Sequence, residues 1–184
     1  MKSKFIVDIE NIQQQARQNL AKGAITDNYK INLDSVYDML NAALATEMVC
    51  TLRYKQHYYK ATEFGATIAA QEFLEHANQE QQHADSLAER IIQLGGTPNL
   101  DPSSFKSRAH ADYVDCDNVA DMIKENLIAE RVAIDIYREM IIFLGTDDST
   151  TRKLIEDILA TEEEHADDLL DLAAEYNVSL ESAH

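Results

Sequence analysis

Apolar residues recur along most of this chain at alternating spacings of three and four, the period of a helix with one buried face. Glycine and proline rarely interrupt the pattern, so the predicted helices are long and their ends are easy to locate. A first amphipathic helix is predicted over residues 5–21, ending ahead of Gly23. A second begins at cap residues 32–34 and runs to about residue 61. A third covers about 66–94 and stops at Gly95-Gly96-Thr97-Pro98. A fourth covers about 118–144 and stops at Gly145. The last starts at the cap Asp147-Asp148-Ser149 and continues to about residue 176.

The connections after about residues 61 and 144 are only a few residues long, which predicts two antiparallel hairpins. Residues 95–117, with Pro98 and Pro102, are enough to cross a bundle and are expected to be irregular or to carry a short helix. The expected architecture is therefore all-α: a four-helix bundle of two hairpins joined by one crossover, preceded by an N-terminal helix. The expected divisions are an extension over 1–31, the bundle over 32–177 and a short tail over 178–184.

The buried stripes are unusual because carboxylates and imidazoles interrupt them. The first long helix gives Val36, Leu40, Ala43, Glu47, Cys50, Tyr54 and His57, and the next gives Phe73, His76, Glu80, His83 and Leu87. The third reads Ile123, Leu127, Glu130, Ile134, Tyr137 and Ile141; the fourth reads Ile155, Ile158, Glu162, His165, Leu169, Leu172 and Tyr176. An ionised carboxylate is costly to bury without a partner or a metal.

These polar positions repeat. Glu80-Gln-Gln-His83-Ala-Asp-Ser-Leu87 recurs as Glu162-Glu-Glu-His165-Ala-Asp-Asp-Leu169, and Leu44, Glu47, Val49 and Tyr54 recur as Leu127, Glu130, Val132 and Tyr137. In Glu-x-x-His the two side chains share a helix face, their Cβ atoms roughly 5–6 Å apart, so one ion can bind both. Residues equally far from a hairpin turn lie at one level. The midpoint of Glu47 and Glu80 falls beside Gly65, and that of Glu130 and Glu162 beside Gly145. Four carboxylates and two histidines are thereby expected at one height. Glu181-Ser-Ala-His184 also has the spacing but no repeat partner, and is read as accidental.

A formal net charge of -17 repels phosphate backbones and anionic lipid, and concentrates cations. Cys50 and Cys116 have no CxxC spacing, and no apolar run approaches the roughly 20 residues of a membrane span. The opening residues lack a signal-like apolar stretch. A cytoplasmic protein with no nucleic-acid or membrane partner is expected. Four carboxylates balance two divalent ions, and oxygen-rich ligation with one imidazole per ion suits iron or manganese better than structural zinc.

Over about residues 36–176 the chain resembles the ferritin superfamily, in its bacterioferritin and Dps-like branches. The matching residues are Leu40-Asn-Ala-Ala-Leu-Ala-Thr-Glu47 with Tyr54 and His57, Glu80-Gln-Gln-His83-Ala-Asp, Gly96-Thr-Pro-Asn-Leu100, Glu130, and Glu162-Glu-Glu-His165. The resemblance implies a ferritin-like fold with a di-iron ferroxidase centre, in which Glu47 and His83 hold one iron, Glu130 and His165 the other, and Glu80 and Glu162 bridge. It implies for Tyr54 the part of the family's tyrosine beside that centre. Its implied activity is oxidation of Fe(II) by dioxygen or hydrogen peroxide, for storage or relief of oxidative stress inside a homo-oligomeric shell.

The departures refine this. Gln81 stands where bacterioferritins carry the haem-ligating methionine, so haem is not expected. The tail is too short for the fifth helix of 24-subunit shells, which favours twelve subunits. Lys2, Lys4, Arg17 and Lys22 do not make the lysine-rich tail of DNA-binding Dps proteins, and Val132 replaces a cysteine found in some archaeal Dps-like proteins. Cys50, one turn from Glu47, reads as a buried hydrophobe rather than a metal-side thiol. His76 reads as a satisfied or exposed histidine, with an outer ligand on an access path as the alternative. The rival function is a di-metal peroxidase, catalase or oxygenase, using iron or manganese, without mineral storage.

Overall fold

The computed structural model describes residues 5–180. Its helices are α1 (Ile9–Gln18), α2 (Leu33–Glu63), α3 (Thr67–Gln93), α4 (Phe105–Arg108), α5 (Val119–Leu144) and α6 (Ser149–Glu175), with 3-10 turns at Leu20–Lys22 and Pro102–Ser104. There is no strand among the described residues, and none of their helices is long and apolar enough to cross a membrane. The expected all-α bundle is what the chain forms. α2 pairs with α3 and α5 with α6, while α3 meets α6 and α2 meets α5 between the hairpins.

Side-chain caps start three of the four long helices. Asn32 accepts from the Ser35 amide at 2.9 Å, Asn118 from Asp121 at 2.9 Å and Asp148 from Thr151 at 2.9 Å, each satisfying a first-turn donor that the helix leaves free. Gly145 closes α5 with φ 51°, a left-handed turn that lets α6 reverse at once. Gly96 is needed for space: a Cβ there would sit 2.7 Å from the Tyr37 ring.

Two expectations need correction. The N-terminal helix is shorter than 5–21, because the chain leaves the helix at Asn19 and tightens into the 3-10 turn; α1 buries no residue. On α5, Leu127, Ile134 and Ile141 are only half-buried. Ile123, Glu130 and Tyr137 are buried as expected, and Met122, Asn126, Ala129, Ala133, Met140 and Leu144 complete the buried face. Apolar residues occupy several faces of α5, including exposed Ile128, Ile142 and Phe143, so spacing alone could not orient it.

The apolar interior is divided. One cluster joins Val36, Leu40, Leu87, Ile91, Tyr137, Leu144 and Ile155; the other joins Tyr54, Phe73, Ala77, Met122, Ile123, Leu169 and Leu172. The turns carrying Glu47, Glu80, Glu130 and Glu162 lie between them. Ahead of α2, Ile25, Tyr29 and Ile31 pack on the first cluster, and the Tyr29 hydroxyl donates to Asp148 at 2.6 Å. Arg90 reaches the other Asp148 oxygen at 3.0 Å, so one buried carboxylate joins the α6 cap, α3 and the preceding segment. Lys2, Lys4, Glu181 and His184 lie outside the described residues.

Candidate metal centre

One turn from each long helix builds the polar layer: Glu47 from α2, Glu80 and His83 from α3, Glu130 from α5, and Glu162 and His165 from α6. None is more than 9 % exposed. All six sequence candidates therefore converge, together with Tyr54. The distances reveal a shared pair. His83 Nδ1 lies 3.2 Å from Glu162 Oε1, 3.3 Å from Glu80 Oε2 and 3.4 Å from Glu47 Oε2. His165 Nδ1 lies 3.3 Å from Glu162 Oε2, 3.7 Å from Glu80 Oε1 and 4.0 Å from Glu130 Oε2. Glu80 and Glu162 thus each turn one oxygen to either imidazole, whereas Glu47 and Glu130 serve one side apiece.

Ligand atoms of Glu47, Glu80, His83 and Glu162 lie within 4.8 Å of one another, and so do those of Glu80, Glu130, Glu162 and His165. Glu47 Oε2, Glu80 Oε1, both Glu162 carboxylate oxygens and His165 Nδ1 are buried without a hydrogen-bond partner. Unpartnered buried acceptors are rare and costly, and cations between them would satisfy the set. The donor chemistry fits two divalent ions.

Electrostatics agree. Burial first, then the charges of Glu80 and Glu162, push the Glu47 and Glu130 carboxyls well up; burial and Glu80 raise Glu162. Burial would raise Glu80 too, but hydrogen bonds from Glu47 and His83 hold it down as the ionised member. Burial would likewise lower His83, yet the adjacent Glu162, Glu47 and Glu80 carboxylates push it up to about 12. Without cations, the cluster collects protons to relieve its own repulsion.

A polar jacket orients the layer. Tyr54 donates its hydroxyl to Glu130 Oε1 and receives His76 Nδ1 at 3.2 Å. Burial and the Glu130 charge keep that phenol protonated. Gln79 Oε1 accepts from His165 Nε2 at 2.8 Å, which leaves His165 Nδ1 as the free nitrogen facing the carboxylates. Arg53, 1 % exposed, donates to Asn126 Oδ1 at 2.9 Å and to the Asp112 carbonyl at 2.9 Å. Asn126 in turn donates to His57 Nδ1 at 3.1 Å, and His57 Nε2 donates to the Val114 carbonyl at 3.1 Å.

Gln79, Arg53 and Asn126 escape the sequence reading. Asn126 had a signal, a polar residue one turn before Glu130 on an apolar face. Arg53 had none, since a lone arginine in a helix ordinarily faces water. It also amends the charge count, placing one positive charge near enough to interact with Glu130 and Glu80. Cys50 is buried with Sγ 3.7 Å from an Arg53 nitrogen, and Cys116 is buried in the second apolar cluster. His76 differs from its expected satisfied or exposed state: it is 1 % exposed, stacked on His165 with ring centroids 4.0 Å apart, and its Nε2 has no hydrogen-bond partner.

A family model described as a ferritin-like domain matches residues 37–177. The bacterioferritin of Brucella melitensis biotype 1 is 34 % identical over 145 residues, 76 % of this chain and 84 % of the relative. That of Rhodobacter capsulatus is 29 % identical over 136 residues, covering 72 % and 78 %. Among solved structures, a dodecameric thioferritin, the bacterioferritin-related protein of Bacteroides fragilis, superposes with TM-score 0.74 at 34 % identity, covering 80 % of this chain and 89 % of that one. The Rhodobacter capsulatus bacterioferritin, with a metal-free dinuclear site and a haem iron, superposes with TM-score 0.71 at 26 % identity, covering 78 % and 86 %.

Proposed function

This chain belongs to the ferritin-like family, bacterioferritins among its relatives, and from that premise we propose that it oxidises Fe(II) at a paired carboxylate centre and stores the product inside a homo-oligomeric shell. The supporting observation is the split allegiance of Glu80 and Glu162, each offering one oxygen to either histidine, with Glu80 Oε1 and both Glu162 oxygens left without a hydrogen-bond partner. In this reading Glu47 and His83 hold one ferrous ion, Glu130 and His165 the other, and Glu80 and Glu162 bridge. Manganese fits the same donors and would compete.

Two Fe(II) give up two electrons, which with two protons reduce dioxygen to hydrogen peroxide or hydrogen peroxide to water. The protein's share is placement. Gln79 presents His165 through Nδ1, Tyr54 occupies one Glu130 oxygen and leaves the other for an ion, and the flanking apolar clusters keep bulk water from the layer. Tyr54 touches the ligand set through Glu130, and we assign its phenol to holding that carboxylate in place. Arg53 offsets part of the negative charge, so a fully loaded centre need not be strictly neutral.

The Gln81 side chain donates to Asp85 at 3.0 Å and offers no sulfur, so the protein is proposed to work without haem. Residues 32–177 are assigned to the bundle, 1–31 to an extension and 178–184 to a tail. A twelve-subunit assembly, as in the Bacteroides fragilis relative, and a cytoplasmic setting complete the reading. Aerobic Fe(II) titration combined with size-exclusion mass tests it. Uptake far beyond two iron per chain in a shell-sized particle is expected. Stoichiometric binding in a small oligomer would favour the di-metal enzyme without storage.

A further inference from the structure

Beside the paired centre, and not part of its six-residue ligand set, Glu72, His76 and Asp168 bring one ligand atom each within 4.8 Å of one another. His76 Nε2 lies 3.1 Å from Glu72 Oε1 and 3.5 Å from Asp168 Oδ2. The two carboxylate side chains are 30 % and 44 % exposed, while that of His76 is 1 % exposed. His76 Nε2 is buried with no hydrogen-bond partner.

The neighbours of His76 decide which nitrogen is free. Tyr54 has a single hydroxyl proton, and it goes to Glu130. The phenol oxygen therefore accepts from His76 Nδ1, which leaves Nε2 as the lone-pair nitrogen of a neutral ring. A nitrogen without a proton 3.1 and 3.5 Å from two carboxylate oxygens is repelled by both as it stands. A cation among the three atoms makes every one of those contacts attractive, and two carboxylate oxygens with one imidazole nitrogen are the donors a divalent first-row ion takes.

The position gives the site a use. Glu72 and Asp168 line an open groove of about 370 Å³ whose wall also carries Asp171 and Glu175, an acidic funnel that raises the local concentration of cations. Inward, His76, Glu130 and His165 form another set with ligand atoms within 4.8 Å, and Glu130 and His165 both belong to the paired centre. The three sets overlap residue by residue. Burial, and then the Asp168 charge, raise the Glu72 carboxyl above its usual value, as expected where negative groups crowd together.

We propose that Glu72, His76 and Asp168 form a third divalent-cation site that receives Fe(II) from the acidic groove and feeds it toward the paired centre. The site itself stands on its own residues; its feeding role rests on the ferroxidase reading above.

The test uses the full chain, stripped of metal and then saturated with Mn(II), a redox-stable probe whose anomalous scattering locates each ion. Three ions per chain are expected, the third within bonding distance of His76 Nε2 and both carboxylates. In the Glu72→Gln/Asp168→Asn double variant, two ions should remain. Both positions are partly exposed, so the variant should fold, and its melting temperature checks this. In aerobic Fe(II) oxidation the variant should need several-fold more Fe(II) for half-maximal initial rate, with an unchanged maximal rate. No ion at His76 in the saturated wild type, or a third ion that persists in the double variant, overturns the site. An unchanged half-saturation overturns the feeding role. Failure of the ferroxidase reading would look different: no ions between Glu80 and Glu162, with the third ion in place.

Discussion

Tyr54 on α2 hydrogen-bonds Glu130 on α5, so the phenol of one hairpin fixes a carboxylate of the other. Both side chains are at most 1 % exposed, which makes the bond insensitive to solvent and salt. Tyr54→Phe keeps the ring and removes the bond. The expected outcome is a folded protein destabilised by about 1–2 kcal/mol through the unpaired Glu130 oxygen. Its Fe(II) oxidation should be slower by at least about tenfold, of the order found when an outer partner of a metal ligand is lost. Stopped-flow absorbance and thermal unfolding of the metal-free protein check the two parts.

Gln79 is the corresponding partner of His165. Replacing it by Ala should leave the fold intact and weaken metal binding at the His165 side by about 10–100-fold, because nothing then selects Nδ1 as the free nitrogen. Calorimetric titration with Mn(II) should resolve one weakened ion and one unaffected ion. Equal affinities in wild type and variant would remove Gln79 from the centre.

Most of this site was legible in the chain because hairpin geometry is simple arithmetic. Once Gly65 and Gly145 mark turns, the level of Glu47 against Glu80 and of Glu130 against Glu162 follows without side-chain detail. Two helix starts were legible through cap chemistry, at Asn32 and Asp148. The sequence was mute where partners come from distant segments. Arg53 meets Asn126 and the Asp112 carbonyl, and His57 meets Val114, across the long crossover whose path no periodicity sets. Half of the α5 stripe was misread because apolar residues surround that helix, and only the packed bundle selects Met122 and Met140 over Leu127 and Ile141.

Metal-free protein should lose stability as pH rises from about 6.5, the ordinary histidine value. His83 is raised to about 12 in the fold, so its contribution is complete below the unfolded value and fades as pH climbs toward the folded one. Glu47, Glu130 and Glu162, all raised, act in the same sense from lower pH, and Glu80 opposes them. Bound ions reverse the trend, since ligation requires deprotonated donors. Melting temperature against pH should therefore fall for the stripped protein and rise for the Mn(II)-loaded one. Parallel curves would contradict the charge reading.

Asp148 behaves oppositely. Burial would raise its carboxyl, but bonds from Thr151 and Tyr29 hold it below its usual value. Its contribution is present above the unfolded value near about 3.9 and is lost as pH falls through the lower folded one. Asp148→Ala removes a helix cap and strands Arg90 in a buried setting, and should cost about 3 kcal/mol at neutral pH. Denaturant unfolding at pH 7 should show that loss, and the gap to wild type should narrow below about pH 4.

Initial rates of aerobic Fe(II) oxidation in wild type, His83→Ala and Glu162→Ala test the central claim most directly. Glu162 is read as a bridge to both ions and His83 as a ligand of one, so each change should abolish the fast phase while the protein remains folded. A fast phase of unchanged rate in either folded variant would contradict the paired centre.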